Sequence, residues 1–331
     1  MSGDVQARVA GFKEATACLR KEIGKVMVGQ DAVVEGVMIA LIAGGHALLE
    51  GVPGLGKTSL VRTLAQALDL NFSRIQFTPD LMPSDITGTK VAMTDERGHT
   101  VLDFEKGPIF AHVVLADEIN RATPRTQSAM LEAMQERSVT VGRTTYTLEE
   151  PFFVLATQNP LEMDGTYPLP EAQVDRFLFK LHVDQPTRED MHTILDRTTG
   201  WEQPELTPVL TREGLLELRH LAMDVPIARH VQDYAVRLVE ATHPQSPSAA
   251  GVAAARYIRY GASPRGAQAL VISAKVCAVL DGRFAVSIAD LRRVAKATLR
   301  HRIIRNFEGE AEGVSTDHIL DELLSAVPER G

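Results

Sequence analysis

Gly51-Val52-Pro53-Gly54-Leu55-Gly56-Lys57-Thr58 lies between the apolar run Ala47-Leu48-Leu49-Glu50 and an amphipathic segment beginning at Lys57, and its reading decides the fold. The spacing is that of a phosphate-binding loop joining a buried strand to a helix. The strand gives the loop a rigid base. Gly51, Gly54 and Gly56 let the backbone come close to phosphate oxygens, with Val52, Pro53 and Leu55 filling the positions between them. Lys57 is placed to reach the β- and γ-phosphates, the Thr58 hydroxyl to coordinate magnesium, and Ser59 follows in the first helical turn. The stretch therefore points to a bound nucleoside triphosphate.

Working outward, the chain alternates between the two periodicities. Helices are expected over 7–24, 31–41, 57–68 and 124–137, and apolar strands over 46–50, 72–77, 113–116, 152–157 and 177–183. Strands that are apolar throughout are buried on both faces, so the pattern predicts an α/β fold with a parallel sheet covered on both sides. Two hairpins interrupt it: Gly88 to Phe104, around the turn Asp95-Glu96-Arg97-Gly98, and Ser138 to Thr147. Beyond the polar, proline-bearing run from Thr199 to Thr211 the pattern is helical, over 212–222, 226–243, 265–281, 288–302 and 316–326. Thr187 with Asp190 and Ser287 with Asp290 read as capping pairs, and 243–254 as a loop.

Further chemistry collects at the predicted strand ends. His112-Val-Val-Leu-Ala-Asp117-Glu118 places two carboxylates at the C-terminal end of a short strand, the edge of such a sheet where ligands bind. Asp117 suits a magnesium held through its water shell, and Glu118 suits orienting and deprotonating a water. An acidic pair capping the next helix is the plainer reading. In Ala156-Thr157-Gln158-Asn159-Pro160, Asn159 is the expected partner of a γ-phosphate or water, with Thr157 and Gln158 as alternatives. Arg176, just before the last strand, could reach a neighbouring subunit's phosphate, and Arg137 is the second candidate, with Arg121 and Arg125 near the same face. Ser263-Pro264-Arg265 begins a helix, where a cation is disfavoured by the helix field, so Arg265 is easier to explain facing phosphate. Gly29-Gln30 would lie beside the adenine if the N-terminal helices fold over the base.

Bulk properties narrow the classes. The net charge of −8 and a pI near 5.7 argue against a nucleic-acid partner, and no Lys/Arg stripe offsets them. The N-terminus lacks the basic-then-apolar order of a signal peptide, and the most apolar window carries Glu35, two glycines and His46, so no transmembrane segment is expected. Cys18 and Cys277 have no metal-site spacing and read as reduced thiols of a cytoplasmic protein. His46, His112 and His182 read as structural imidazoles, and Met130, Leu131 and Met134 as core.

The ordered set resembles an AAA+ ATPase of the MoxR family. It comprises Gly51–Thr58, Leu115-Ala-Asp-Glu-Ile-Asn-Arg121, the run QSAMLEAMQE from Gln127, Ala156-Thr-Gln-Asn-Pro160, Leu169-Pro-Glu-Ala-Gln-Val-Asp-Arg-Phe177 and Gly261-Ala-Ser-Pro-Arg265. The resemblance implies a five-stranded parallel P-loop core over 1–198, with a helix-2 insert at about 86–106 and a hairpin before the first sensor at about 138–149. A linker at 199–212 and an all-helical lid at 213–331 would follow. It implies ATP and magnesium as cofactors, a homo-hexameric ring, Asn159 as first sensor, Arg176 as arginine finger and Arg265 as second sensor. It also implies chaperone-like work on a client, often a protein with a von Willebrand factor A domain, sometimes a metalloenzyme. A nucleic-acid motor and a nucleotide-gated scaffold with slow hydrolysis are the alternative readings.

Overall fold

The computed structural model describes residues 3–52, 54–94, 99–160, 165–201, 204–247 and 253–329. Pro53 and the expected turn at 95–98 lie outside them. The chain opens with α1 (Gly3–Gly24), α2 (Asp31–Ile42), β1 (Ala47–Glu50), α3 (Lys57–Ala67) and β2 (Phe72–Gln76). Next come α4 (Pro83–Thr87), the hairpin β3 (Gly88–Thr94) and β4 (Thr100–Lys106), β5 (Val113–Asp117) and α5 (Pro124–Glu136). A second hairpin, β6 (Ser138–Val141) and β7 (Thr144–Thr147), leads to β8 (Phe153–Gln158), α6 (Glu171–Val174), β9 (Phe179–His182) and α7 (Arg188–Thr198). The remainder is α8 (Arg212–Met223), α9 (Arg229–Ala241), α10 (Ala253–Tyr257), β10 (Ile258–Tyr260), α11 (Pro264–Leu280), α12 (Ile288–Leu299), β11 (Ile304–Arg305), α13 (Phe307–Ala311) and α14 (Thr316–Ala326).

The expected five-stranded sheet is present, in the order β2-β5-β8-β1-β9, with every pairing parallel. Period-2 alternation divides its side chains between two cores. Leu49, Val113, Leu115, Phe153 and Leu155 face α1 to α3 and the C-terminal helices, whereas Leu48, Val114, Ala116, Val154 and Ala156 face α5. The first core is continuous with the lid: α11 packs on α1 and α2, α8 on α2, and α12 on β9. The N-terminal helices are thus wedged between sheet and lid.

One buried arginine ties these parts together. Arg302, 7% exposed, bonds the Asp175 carboxylate at 2.8 Å and donates to the carbonyls of Phe177 at 2.7 Å and Leu178 at 3.2 Å. A charge so deeply buried is tolerable only with such complete pairing. Helix α12 ends at Leu299, three residues short of the expected boundary, and Arg302 beyond it also donates to the Thr298 carbonyl of that helix.

Other elements differ from the sequence reading. The expected loop 243–254 ends in α10, where three consecutive alanines favour helix and the Glu322 carboxylate accepts from the Ala253 N–H at 2.8 Å. Helix α9 begins at Arg229, after extended Ala228, rather than at 226. Short α4, α6 and α13 and the small β10–β11 sheet carry too few residues for periodicity to reveal them. The Thr187–Asp190 and Ser287–Asp290 capping boxes form as read.

His46, at the foot of β1, is a structural imidazole with a fixed tautomer. Its Nδ1 accepts from the Val154 N–H at 3.0 Å, so Nε2 carries the proton toward the Met134 carbonyl at 3.1 Å. Burial pushes its pKa down to about 4. The folded state keeps the ring neutral while the unfolded chain takes up a proton near pH 6.5. The His46 contribution is therefore complete above pH 6.5 and lost as pH falls toward about 4. Denaturant unfolding across that window should lose roughly 3 kcal/mol through this one group, and His46→Asn should flatten that acid limb.

Candidate functional site

Because the sheet is parallel, β1, β5 and β8 end at one edge, and the site is built there. The chain leaves β1 through Gly51, whose N–H donates to the Gln158 carbonyl at 3.3 Å, and enters α3 at Lys57. Gly56, the residue before α3, has φ 77° and offers no side-chain cap, so the first N–H groups of the helix are left for another acceptor. Gly54 has φ 85°, and a Cβ there would meet nothing within 4 Å, so the loop curves round open space. That space is a cavity of about 260 Å³ bordered by Lys57, Thr58, Ser59, Asp117, Glu118 and Asn159. Half-buried Lys57 folds back to donate to the Gly51 carbonyl; burial lowers its pKa while Asp117 and Glu118 pull it up.

The two carboxylates are held in detail. Thr157 Oγ1 donates to Asp117 Oδ1 at 2.6 Å and accepts from the Glu118 N–H at 2.8 Å. Glu118 sits in the left-handed region at φ 56°, ψ 49°, ahead of a 3₁₀ turn at Ile119–Arg121. A non-glycine residue there carries about 1 kcal/mol of strain, a cost that tends to persist where a side chain must be aimed. Arg121 reaches Glu118 Oε2 at 2.9 Å, which accounts for that arginine: it belongs to this edge and not to the face of Arg176.

Alternation along β8 sorts the three candidates at its end. Thr157 and Asn159 border the Lys57 cavity, and Asn159 is buried; Gln158 points to the other face, toward Glu50, Lys180 and His182. Asp117 and Glu118 border the same cavity, and the Glu118 side chain makes no capping hydrogen bond to the turn that follows it. Hard oxygen donors from Thr58 and Asp117 fit a magnesium ion that keeps most of its waters. Among the described residues no cluster of His, Cys, Asp and Glu offers a different kind of metal site.

The turn before α2 also comes close. Met27 lies 3.5 Å from where a Cβ on Gly56 would be, which brings the Gly29-Gln30 turn alongside the loop. Gly29 has φ 68°, and any Cβ on it would collide with the Asp190 carboxylate; Gln30 donates to the Asp184 carbonyl at 2.8 Å.

The candidate arginines Arg176 and Arg265 do not border the Lys57 cavity of their own chain. Arg176 and Arg265 border a different cavity, together with Gly45 and Leu178, which precede β1 and β9. That is the opposite edge of the sheet from Lys57, about 13–20 Å away by strand length. Arg265 is 54% exposed at the side chain and pairs loosely with Asp175 at 3.5 Å, while Ser263 accepts from its N–H at 3.2 Å as the N-cap. Arg176 donates to the Leu131 carbonyl at 2.8 Å. Arg137, the other candidate, pairs with Glu150 and reaches the Gly44 carbonyl, and Arg125 lies in the groove between the hairpins. Leu131 is fully buried, in keeping with a packing role.

Sequence reasoning missed Arg74 and Gln76 of β2, both on the Lys57 cavity. Strand alternation was the available signal: both lie on the face of β2 that Ile75 does not use, and β2 pairs with β5 so that Gln76 stands opposite Asp117.

Comparison with known proteins agrees with this geometry. Residues 46–179 match the ATPase family associated with various cellular activities (AAA), and residues 251–323 match the AAA lid domain. The chain is 41% identical to the chaperone MoxR1 of Mycobacterium tuberculosis, over 94% of this chain and 83% of that protein. It is 32% identical to the MoxR protein of Paracoccus denitrificans, over 99% of both. A crystal structure of a Cytophaga hutchinsonii protein superposes with a TM-score of 0.91 at 42% identity, covering 98% of each chain. A phosphate loop, paired carboxylates and a mainly helical lid carrying the small β10–β11 sheet, with relatives matched along nearly the whole length, identify the chain as an AAA+ ATPase of the MoxR family.

Proposed function

We propose that the chain hydrolyses ATP at sites shared between neighbouring copies of a homo-hexameric ring, and uses the cycle to remodel or mature a protein partner. The observation that carries this reading is the separation of the two halves of the site: Lys57, Asp117 and Glu118 at one sheet edge, Arg176 and Arg265 at the other. A ring in which one copy's arginine edge meets the next copy's phosphate loop completes every site with identical contacts. Magnesium, held by Thr58 and through water by Asp117, would compensate charge on the β- and γ-phosphates. Lys57 holds the same phosphates, Glu118 takes the proton of the attacking water, Asn159 orients that water or the γ-phosphate, and Arg176 and Arg265 of the adjoining copy stabilise the charge that develops. Gly29 and Gln30 border the base.

Partner handling belongs to the two hairpins. Phe104 of one stacks on Tyr146 of the other at 4.1 Å, with Phe110 edge-on to Phe104 at 5.6 Å, so the two hairpins pack against each other. Met93 and Leu102 on the first are 53% and 69% exposed, apolar surface with no packing role in the monomer. A partner bearing a von Willebrand factor A domain, or a metalloenzyme complex, is the client class that fits the family. The boundaries 1–198, 199–212 and 213–331 divide the chain functionally into motor, linker and lid, although motor and lid share one core. Among the described residues no helix is long and apolar enough to cross a membrane.

Glu118→Gln should retain ATP binding while steady-state hydrolysis falls by about 100-fold or more. Arg176→Ala and Arg265→Ala should each bind nucleotide as wild type and lose turnover, by roughly 10³-fold for the former. Nucleotide binding by fluorescence anisotropy, set beside phosphate release, checks both; loss of binding in the arginine variants would contradict the shared site. Leu102→Asp, remote from the cavity, should leave basal hydrolysis within about twofold and abolish capture of a client by the Glu118→Gln protein in pull-down.

A further inference from the structure

Arg74 is the least expected member of the Lys57 cavity, since it places a second cation beside the carboxylate that would serve the metal. Its Nη2 donates to Asp117 Oδ2 at 2.7 Å, and its Nε to the same oxygen at 3.1 Å. The Nη2 group also donates to Gln76 Oε1 at 2.7 Å. With its oxygen so engaged, the Gln76 amide must present its nitrogen to Glu118, and Gln76 Nε2 donates to Glu118 Oε2 at 2.7 Å. The far oxygen of Asp117 is taken by Thr157. One chain of bonds, Asp117–Arg74–Gln76–Glu118, therefore links the metal-side carboxylate to the water-activating one.

We propose that Arg74 is a displaceable stand-in for the metal, a claim that rests on the nucleotide-site reading above. Its guanidinium neutralises Asp117 while no divalent cation is held, and entry of the metal must free Oδ2 from it. The arginine suits this use: its side chain is 47% exposed, so it has room to swing away, and an ion pair of that exposure is weak enough to yield to a divalent ion. It is a positioning residue, distinct from the groups that touch substrate.

The test reads metal-dependent binding rather than turnover. Binding of a fluorescent, non-hydrolysable ATP analogue is titrated with Mg²⁺ in the full-length protein and in Arg74→Ala, Arg74→Gln and Gln76→Ala. Arg74→Ala and Arg74→Gln should lower the half-saturating Mg²⁺ concentration by about three- to tenfold, because the ion no longer displaces a paired cation. Gln76→Ala, which removes the second acceptor of Arg74 and a donor to Glu118 but leaves the Arg74–Asp117 pair, should lower it by less. An unchanged or raised midpoint in both Arg74 variants overturns the proposal and makes the arginine a fixed support for Asp117. Wild-type protein whose analogue binding ignores Mg²⁺ altogether would instead overturn the underlying nucleotide-site reading. Folding of each variant is read from its thermal transition, and two substitutions at Arg74 guard against loss of either one.

Discussion

Everything in this molecule follows from the common direction of five strands. A parallel sheet has two unlike edges, one made of strand ends and one of strand beginnings, and every loop inherits its place from that polarity. Gly51–Thr58, Asp117–Glu118 and Asn159 follow strands and meet; Gly45, Arg176 and Leu178 precede strands and meet at the far edge. The separation is backbone geometry, not side-chain flexibility, and no rotamer change can close it. A single chain thus carries the two halves of the proposed site facing apart, a geometry that repetition round a ring would bring together.

The arginine edge is kept rigid by means unlike those of the phosphate edge. Arg302 threads from the end of α12 to the Asp175 carboxylate and the carbonyls of Phe177 and Leu178, bracketing Arg176 in sequence. The lid is thereby bonded to the very segment that carries the proposed finger, while Arg265 rises from the lid beside it. Movement of the lid would shift both arginines together. At the other edge, Thr157 ties the two carboxylates to each other, and the left-handed backbone at Glu118 turns its side chain inward. The sheet domain and the lid meet across one continuous core.

The fold was readable because its signals are local. Apolar strands without alternation announced a covered parallel sheet, and glycine spacing with a following lysine announced the loop. The proper choice at the end of β8 needed strand alternation in three dimensions: Thr157 and Asn159 share a face that Gln158 does not. Arg265 begins a helix, where a cation calls for an anion, but its distance from Lys57 is a property of sheet polarity, which no local pattern encodes. Arg74 and Gln76 escaped notice for a related reason. An arginine and a glutamine on a half-exposed strand look like solvated surface until β2 is laid against β5, when they stand beside the two carboxylates.

The central claim, that the halves of the site belong to different copies, is tested most directly by mixing two inactive variants. Lys57→Ala keeps its arginine edge and lacks a working phosphate loop, and Arg176→Ala is its complement. Co-assembled in equal amounts, the two should recover hydrolysis at those interfaces where an intact loop faces an intact arginine, with activity rising as subunits exchange. Assemblies that exchange subunits yet remain as inactive as either variant alone would contradict the account and return Arg176 to its own chain.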